Sequence, residues 1–286
     1  MSRLNRFLPL LAALLLGACS HRPTAGDRTI YVSIPPLKSL VSAIVGEDFP
    51  IEVLVPAGAS PETFEPTPKQ YIAVQRSQWL FQIGLLDFER ALSAKIADPD
   101  RVVDLCTGIE LLEGSCSHQH EAGHHHSHGI DPHLWTSPRA LQQMAATLFR
   151  TIEAAYPDSV RYRTNYEALQ RELAALDART AERLAASGVR TVFIYHPALT
   201  YYVRDYGLQQ IAIEQEGKEP SARHLARLIR QAREEGVRRI LYQIQFPKST
   251  VEAIAADIGA EAAPFDPLGE DAVANIDAVT VLLTNP

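Results

Sequence analysis

The chain has 286 residues, enough for one large domain or two medium ones with a sizeable buried core. Hydrophobic residues make up 46% and charged residues 21%, a globular profile that excludes general disorder. A formal net charge of −7 argues against a nucleic-acid binder, which needs a basic surface to meet phosphates.

At the N-terminus, Arg3 and Arg6 precede an apolar run from Phe7 to Leu16, which ends in Gly17-Ala18-Cys19. A charged start, a short hydrophobic stretch and small residues describe a secretory signal over residues 1–18. The run is too short to span a bilayer, which takes roughly 20 residues. A Cys directly after the small residues resembles the lipobox of bacterial lipoproteins, in which Cys19 would carry the lipid and residues 19–28 a polar tether. An ordinary signal peptide with an incidental Cys is the alternative. No later segment is long and apolar enough to cross a membrane. The expected location is therefore periplasmic or cell-surface, with membrane lipid as a partner through Cys19. That leaves Cys106 and Cys116 in an oxidising compartment, where a disulfide is expected. Two free thiols, or extra metal ligands, are the alternatives.

Next comes an alternation. Short β-rich runs at residues 29–34, 51–55, 79–83 and 101–105 are separated by helical or loop stretches. The pattern returns at 191–195, 209–213, 239–243 and 261–265, with helical segments at 221–235 and 249–258 between them. Such alternation predicts α/β architecture with parallel sheets covered by helices. Between the two blocks lies a mostly helical stretch, 138–186, divided at Pro157 and Asp158. Tyr162, Tyr166, Leu169, Leu173, Leu176, Thr180 and Leu184 recur every three or four residues, one face of a helix that stops at Gly188. The expected division is an N-terminal lobe over 29–157, a linking helix over 158–188 and a C-terminal lobe over 189–286.

The ten histidines are unevenly placed: seven fall between His118 and His133. The tract that carries His118, His120, His124, His125, His126 and His128 has too few apolar residues to pack. It is expected to be an exposed loop that binds zinc, copper or nickel loosely, a solvated loop without a role being the alternative. More informative are residues at strand ends. The apolar run 192–195 ends in His196-Pro197, which puts an imidazole at the carboxyl edge of a strand, where open α/β sheets bind ligands. Asp266-Pro267 follows the run 262–265 in the same way. The run ending at Val55-Pro56 leads into a loop that carries Glu62 and Glu65. Asp131-Pro132-His133-Leu134-Trp135 adds a second isolated His. Each has a bland structural reading, but their recurrence in both blocks points to one shared site in a cleft.

Three stretches make the chain recognisable: 56–68, with Ser60-Pro61-Glu62-Thr63-Phe64-Glu65-Pro66; 131–135; and 196–208. Residues 214–225, and 259–268 with its Asp266-Pro267-Leu268, add to them. Together they resemble the metal-binding, substrate-binding proteins of bacterial ABC transporters for zinc and manganese, over nearly all of 29–286. The resemblance implies two α/β lobes joined by a long helix, with one metal held between them on Glu62, His133, His196 and Asp266. Where the family usually has His, this chain has Glu62. Glu65 is the second choice for a donor, and Gln243, on a strand end, for a supporting amide. Zn²⁺ is the implied ion, with Mn²⁺ the alternative; two imidazoles with two carboxylates suit either. An ABC permease and its ATPase are the implied partners of a monomer, and an enzyme is not expected. No GxSxG or P-loop is present, and the HExxH match at His120-Glu121-Ala122-Gly123-His124 falls inside the His tract, which is expected to be a loop and not the helix that motif needs. A metal-dependent hydrolase or an adhesin using the same cleft is the rival reading. Imidazoles bind metal only when deprotonated, so affinity is expected to fall below about pH 6.

Overall fold

The computed structural model describes residues 28–114, 129–214, 220–246 and 248–285. Cys19, Cys116 and the histidines from His118 to His128 lie outside these, and so do the lipidation, the disulfide and the His loop expected on them.

The two-sheet α/β architecture read from the alternation is the one the structure has. In the first lobe, β1 (Ile30–Val32), β2 (Ile51–Val53), β3 (Trp79–Gln82) and β4 (Val102–Asp104) form a parallel sheet in the order β2-β1-β3-β4. Three helices connect them: α1 (Pro35–Val45), α2 (Pro68–Val74) and α3 (Asp87–Ser93). In the second lobe, β5 (Thr191–Ile194), β6 (Gln209–Ala212), β7 (Arg239–Gln243) and β8 (Glu261–Phe265) repeat the winding as β6-β5-β7-β8, again parallel. Its helices are α6 (Thr200–Tyr206), α7 (Ala222–Glu234), α8 (Lys248–Ile258) and α9 (Ala272–Thr284). Among the described residues, no helix is long and apolar enough to cross a membrane.

Two helices lie between these blocks. In α4 (Pro138–Ala155), the Ser137 hydroxyl accepts from the Ala140 N–H and Pro138 opens the first turn, a strong start signal. Its partner α5 (Val160–Ser187) is capped by Ser159 and stopped by Gly188, whose φ of 74° suits glycine. At about 1.5 Å per residue, α5 is roughly 42 Å long. Its buried face carries Tyr162, Leu169, Leu173, Leu176, Thr180 and Leu184. Tyr166, expected on that face, is only half-buried and instead stacks on Phe149, ring centroids 4.2 Å apart. The buried face packs on α1 and α4 of the first lobe and on α9 of the second, so one helix spans both lobes.

The core shows how tightly they are joined. One apolar cluster runs from Ile30 and Phe81 through Leu141, Leu173 and Tyr202 to Leu241, Phe265 and Val279, taking in one face of the second sheet. A second cluster, with Ile211, Leu228, Ile240 and Ile254, covers the other face. Hydrogen bonds cross between the lobes as well. The Trp135 indole donates to the Pro267 carbonyl at 2.9 Å and the Thr136 hydroxyl to the Ala198 carbonyl at 3.1 Å. The Tyr201 hydroxyl donates to the Asp131 carbonyl at 2.8 Å.

Candidate metal centre

The sheet itself places the first imidazole. β5 pairs with β6 so that Ile194 faces Ala212, and with β7 so that Ile194 faces Leu241. Two residues further along, the same registers put His196 beside Glu214 on one side and Gln243 on the other. The side chains use that neighbourhood. His196 Nδ1 lies 2.8 Å from Glu214 Oε1. The Gln243 amide clamps the His196 backbone, donating from Nε2 to its carbonyl at 2.6 Å and accepting from its N–H at 3.3 Å. Phe246 stacks on the imidazole with centroids 5.3 Å apart.

His133 is held by a turn. The Asp131 carboxylate accepts both the His133 backbone N–H, at 2.8 Å, and ring Nδ1, at 2.9 Å. A short 3-10 turn, Leu134–Thr136, then leads into α4. Trp135, two residues on, lies against the His133 ring, centroids 5.0 Å apart. Both histidines and both of their carboxylate partners are buried.

Glu62 reaches the pair from the proline-bounded loop between β2 and α2, a loop closed by the Thr67–Gln70 capping box. Its Oε1 is 3.1 Å from His196 Nε2 and 3.9 Å from His133 Nε2, while the two Nε2 atoms are 3.3 Å apart. The donor atoms of Glu62, His133 and His196 all lie within 4.8 Å of one another. Ligands bound at about 2.0–2.1 Å to a tetrahedral ion sit roughly 3.3–3.4 Å apart, so the separation of the two Nε2 atoms already matches and that of Glu62 from His196 is slightly short. The cavity beside them measures about 20 Å³ and is lined by Ser60, Trp135, Gln245 and Leu268 among others. That is room for one ion or water. A larger cavity of about 540 Å³ lies at the opposite end of the second sheet, beside Gly188, Arg190 and Asn285, away from these donors.

The electrostatics reflect three electron-rich atoms aimed at one point. Burial by itself would lower the His196 pKa, but the hydrogen bonds and charges of Glu214 and Glu62 outweigh it and push it up to about 9. Burial would raise the Glu62 pKa; its hydrogen bond to His196 and the two imidazole charges bring it below the usual carboxylate value instead. For Asp131, too, the desolvation that would raise the pKa is outweighed by His133, which lowers it. A proton on His196 thus occupies electrostatically the place a cation would take.

Of the residues singled out by sequence, Glu62, His133 and His196 come together. Asp266 stands at the end of β8, outside that group: its Oδ1 accepts from the Gln245 amide at 2.9 Å and from the Leu268 N–H at 3.0 Å. Glu65 is exposed, outside that group, and lines a neighbouring groove with Tyr71 and Phe88 that Glu62 also borders. Gln243 supports the His196 backbone. Sequence reading missed Asp131, Glu214 and Gln245 as partners. Glu214 carried the same signal as Asp266, an acid just after an apolar strand run.

Comparison with known proteins places the chain in a family. The chain is 28% identical over 305 residues to the zinc-binding lipoprotein AdcA of Streptococcus pneumoniae, with all of this chain and 60% of that protein covered. It spans about three-fifths of that relative's length. A crystal structure of ZnuA superposes with a TM-score of 0.81 at 35% identity, covering 90% of this chain and 98% of that one. FpvC from Pseudomonas aeruginosa, solved in complex with Mn²⁺, superposes at 0.73 with 25% identity, covering 90% and 98%. Residues 30–280 match the family model, and the chain belongs to the ZnuA family, zinc-uptake complex component A, periplasmic.

Proposed function

We propose that this protein captures a divalent transition metal outside the cytoplasm, zinc foremost, and delivers it to an ABC permease and its ATPase for import. The observation that carries the reading is the convergence of Glu62, His133 and His196 at near-tetrahedral separations around space for a single ion. Asp266, one strand over from His196's neighbour Gln243, is the fourth donor in this reading, and its carboxylate must come nearer to the other three to serve. The role is that of a carrier and not a catalyst, supported by the family, which is a component of a zinc-uptake complex. Cys19 supplies the lipid anchor, and the protein works as a monomer.

Manganese is the second reading, favoured by one observation: a carboxylate, Glu62, stands where an imidazole would suit zinc better. Elemental analysis of tag-free protein, followed by zinc and manganese titrations against chelators of known affinity, tests both. One equivalent of tightly held zinc supports the first reading. Preference for manganese selects the second, and no bound metal removes both. Glu62→Ala should weaken zinc by more than tenfold; an unchanged affinity would remove Glu62 from the donor set.

A further inference from the structure

We propose that Asp131 and Glu214 are positioning residues that select which nitrogen of each imidazole faces the ion, and that Glu214 sets the preference of the site for zinc over manganese. The inference rests on the capture reading above and deepens it. A carboxylate accepts hydrogen bonds and does not donate them. With Oδ1 of Asp131 and Oε1 of Glu214 at 2.9 and 2.8 Å, each neutral ring must carry its hydrogen on Nδ1. Both Nε2 atoms then present lone pairs, and these are the atoms found 3.3 Å apart beside Glu62. Without the acids either ring could shift its hydrogen to Nε2 and turn an N–H toward the ion.

The two acids are not equivalent. Asp131 Oδ1 is shared between the His133 ring and the His133 backbone N–H and closes a local turn, and the Thr200 side chain also hydrogen-bonds to the carboxylate, so its charge is divided among several donors. Glu214 stands two residues beyond the neighbouring strand β6, and its carboxylate meets the His196 ring. A carboxylate on Nδ1 makes Nε2 a stronger donor. Zinc profits more from imidazole than manganese does, since manganese favours oxygen ligands. The charge on Glu214 is therefore the selective element, while Asp131 is chiefly geometric.

The test is competitive titration of zinc and manganese on the full protein and its Glu214→Gln, Glu214→Asp and Asp131→Asn variants, with the visible spectrum of the Co²⁺-loaded forms recorded alongside. Removing an outer partner costs roughly 10–100-fold in metal affinity. Glu214→Gln should lose that much for zinc and less than about threefold for manganese, so the zinc-to-manganese ratio falls at least tenfold. Glu214→Asp, which keeps the charge, should retain most of the ratio and guards against a folding artefact. Asp131→Asn should weaken both ions together, with an altered Co²⁺ spectrum. Equal losses for zinc and manganese in Glu214→Gln, or none, overturn the assignment. A wild-type protein that binds neither metal overturns the capture reading itself, and this inference with it.

Discussion

Both lobes wind four parallel strands in the same relative order, yet they hold their donors in different ways. In the second lobe His196 sits two residues beyond β5, and its supports, Glu214 and Gln243, are its neighbours on adjacent strands. In the first lobe Glu62 and His133 hang from loops well past β2 and β4. His133 is fixed by Asp131 two residues away and by bonds from the other lobe, those of Tyr201 to Asp131 and of Thr136 to Ala198. Glu62 is the least constrained, with 40% of its side chain exposed. A sheet edge thus positions one half of the site by register, while the other half is positioned by turns and by contact with its partner lobe.

Four experiments would break or sharpen this contrast. Removal of the sheet-held imidazole should have the largest effect. His196→Ala is expected to lower zinc affinity about 1000-fold or more, about 4 kcal/mol, in a chelator competition. His133→Ala should match it to within about tenfold, since both rings turn Nε2 toward Glu62. A His133 effect far smaller than that would mean the turn-held half contributes little.

Next in size is the strut that both lobes share. Leu173 is fully buried in the face of α5 that packs against the core, and Leu173→Ala should cost roughly 2–5 kcal/mol of stability in urea unfolding. Zinc affinity of the folded variant should barely move. A parallel loss of affinity would show that neither half-site is set by its own lobe.

The pH dependence comes third. His196 is raised from 6.5 to about 9, so an entering ion must displace its proton. Zinc affinity should therefore climb by up to about tenfold per pH unit between about 6.5 and 9, well above the pH 6 expected for an ordinary imidazole. Stability of the metal-free protein runs the other way. A folded-state pKa above the unfolded one contributes stability that is complete below about pH 6.5 and is lost as the pH rises through about 9. Thermal melts of metal-free wild type and His196→Ala at pH 6 and pH 9 should show the wild-type advantage shrinking at the higher pH. A constant difference would contradict the assignment of the raised group.

Least affected should be the protein lacking residues 117–128, whose zinc affinity should stay within about threefold of wild type, since the three converging donors all lie outside that stretch. A loss as large as that of His196→Ala would reverse the ranking of the two groups of histidines.

Much of this was legible in the sequence, because it was local. The spacing of Leu169, Leu173, Leu176, Thr180 and Leu184 marked the buried face of α5, and an apolar run ending in His-Pro marked His196. What escaped was set by pairing between strands distant in sequence. That Glu214 and Gln243 flank His196 depends on β6 and β7 both pairing with β5, and no local pattern records that. The bond between Gln245 and Asp266 is hidden for the same reason, since it links the ends of β7 and β8. Asp131 was adjacent and still missed, because a carboxylate two residues before a histidine looks like any turn acid until its oxygen is seen on the ring.

The apolar cluster that runs unbroken from Ile30 to Val279 has a consequence for how the molecule comes apart. The second lobe keeps one apolar cluster to itself, but both lobes share this larger one, so opening either exposes the shared face of the other. The chain is expected to melt as one cooperative unit, with a single calorimetric transition and with slow amide exchange extending through both central sheets. On the proposed function, an ion bound by residues of both lobes would raise the melting temperature of the whole chain, and partial unfolding of one lobe would be closed as a route for its release.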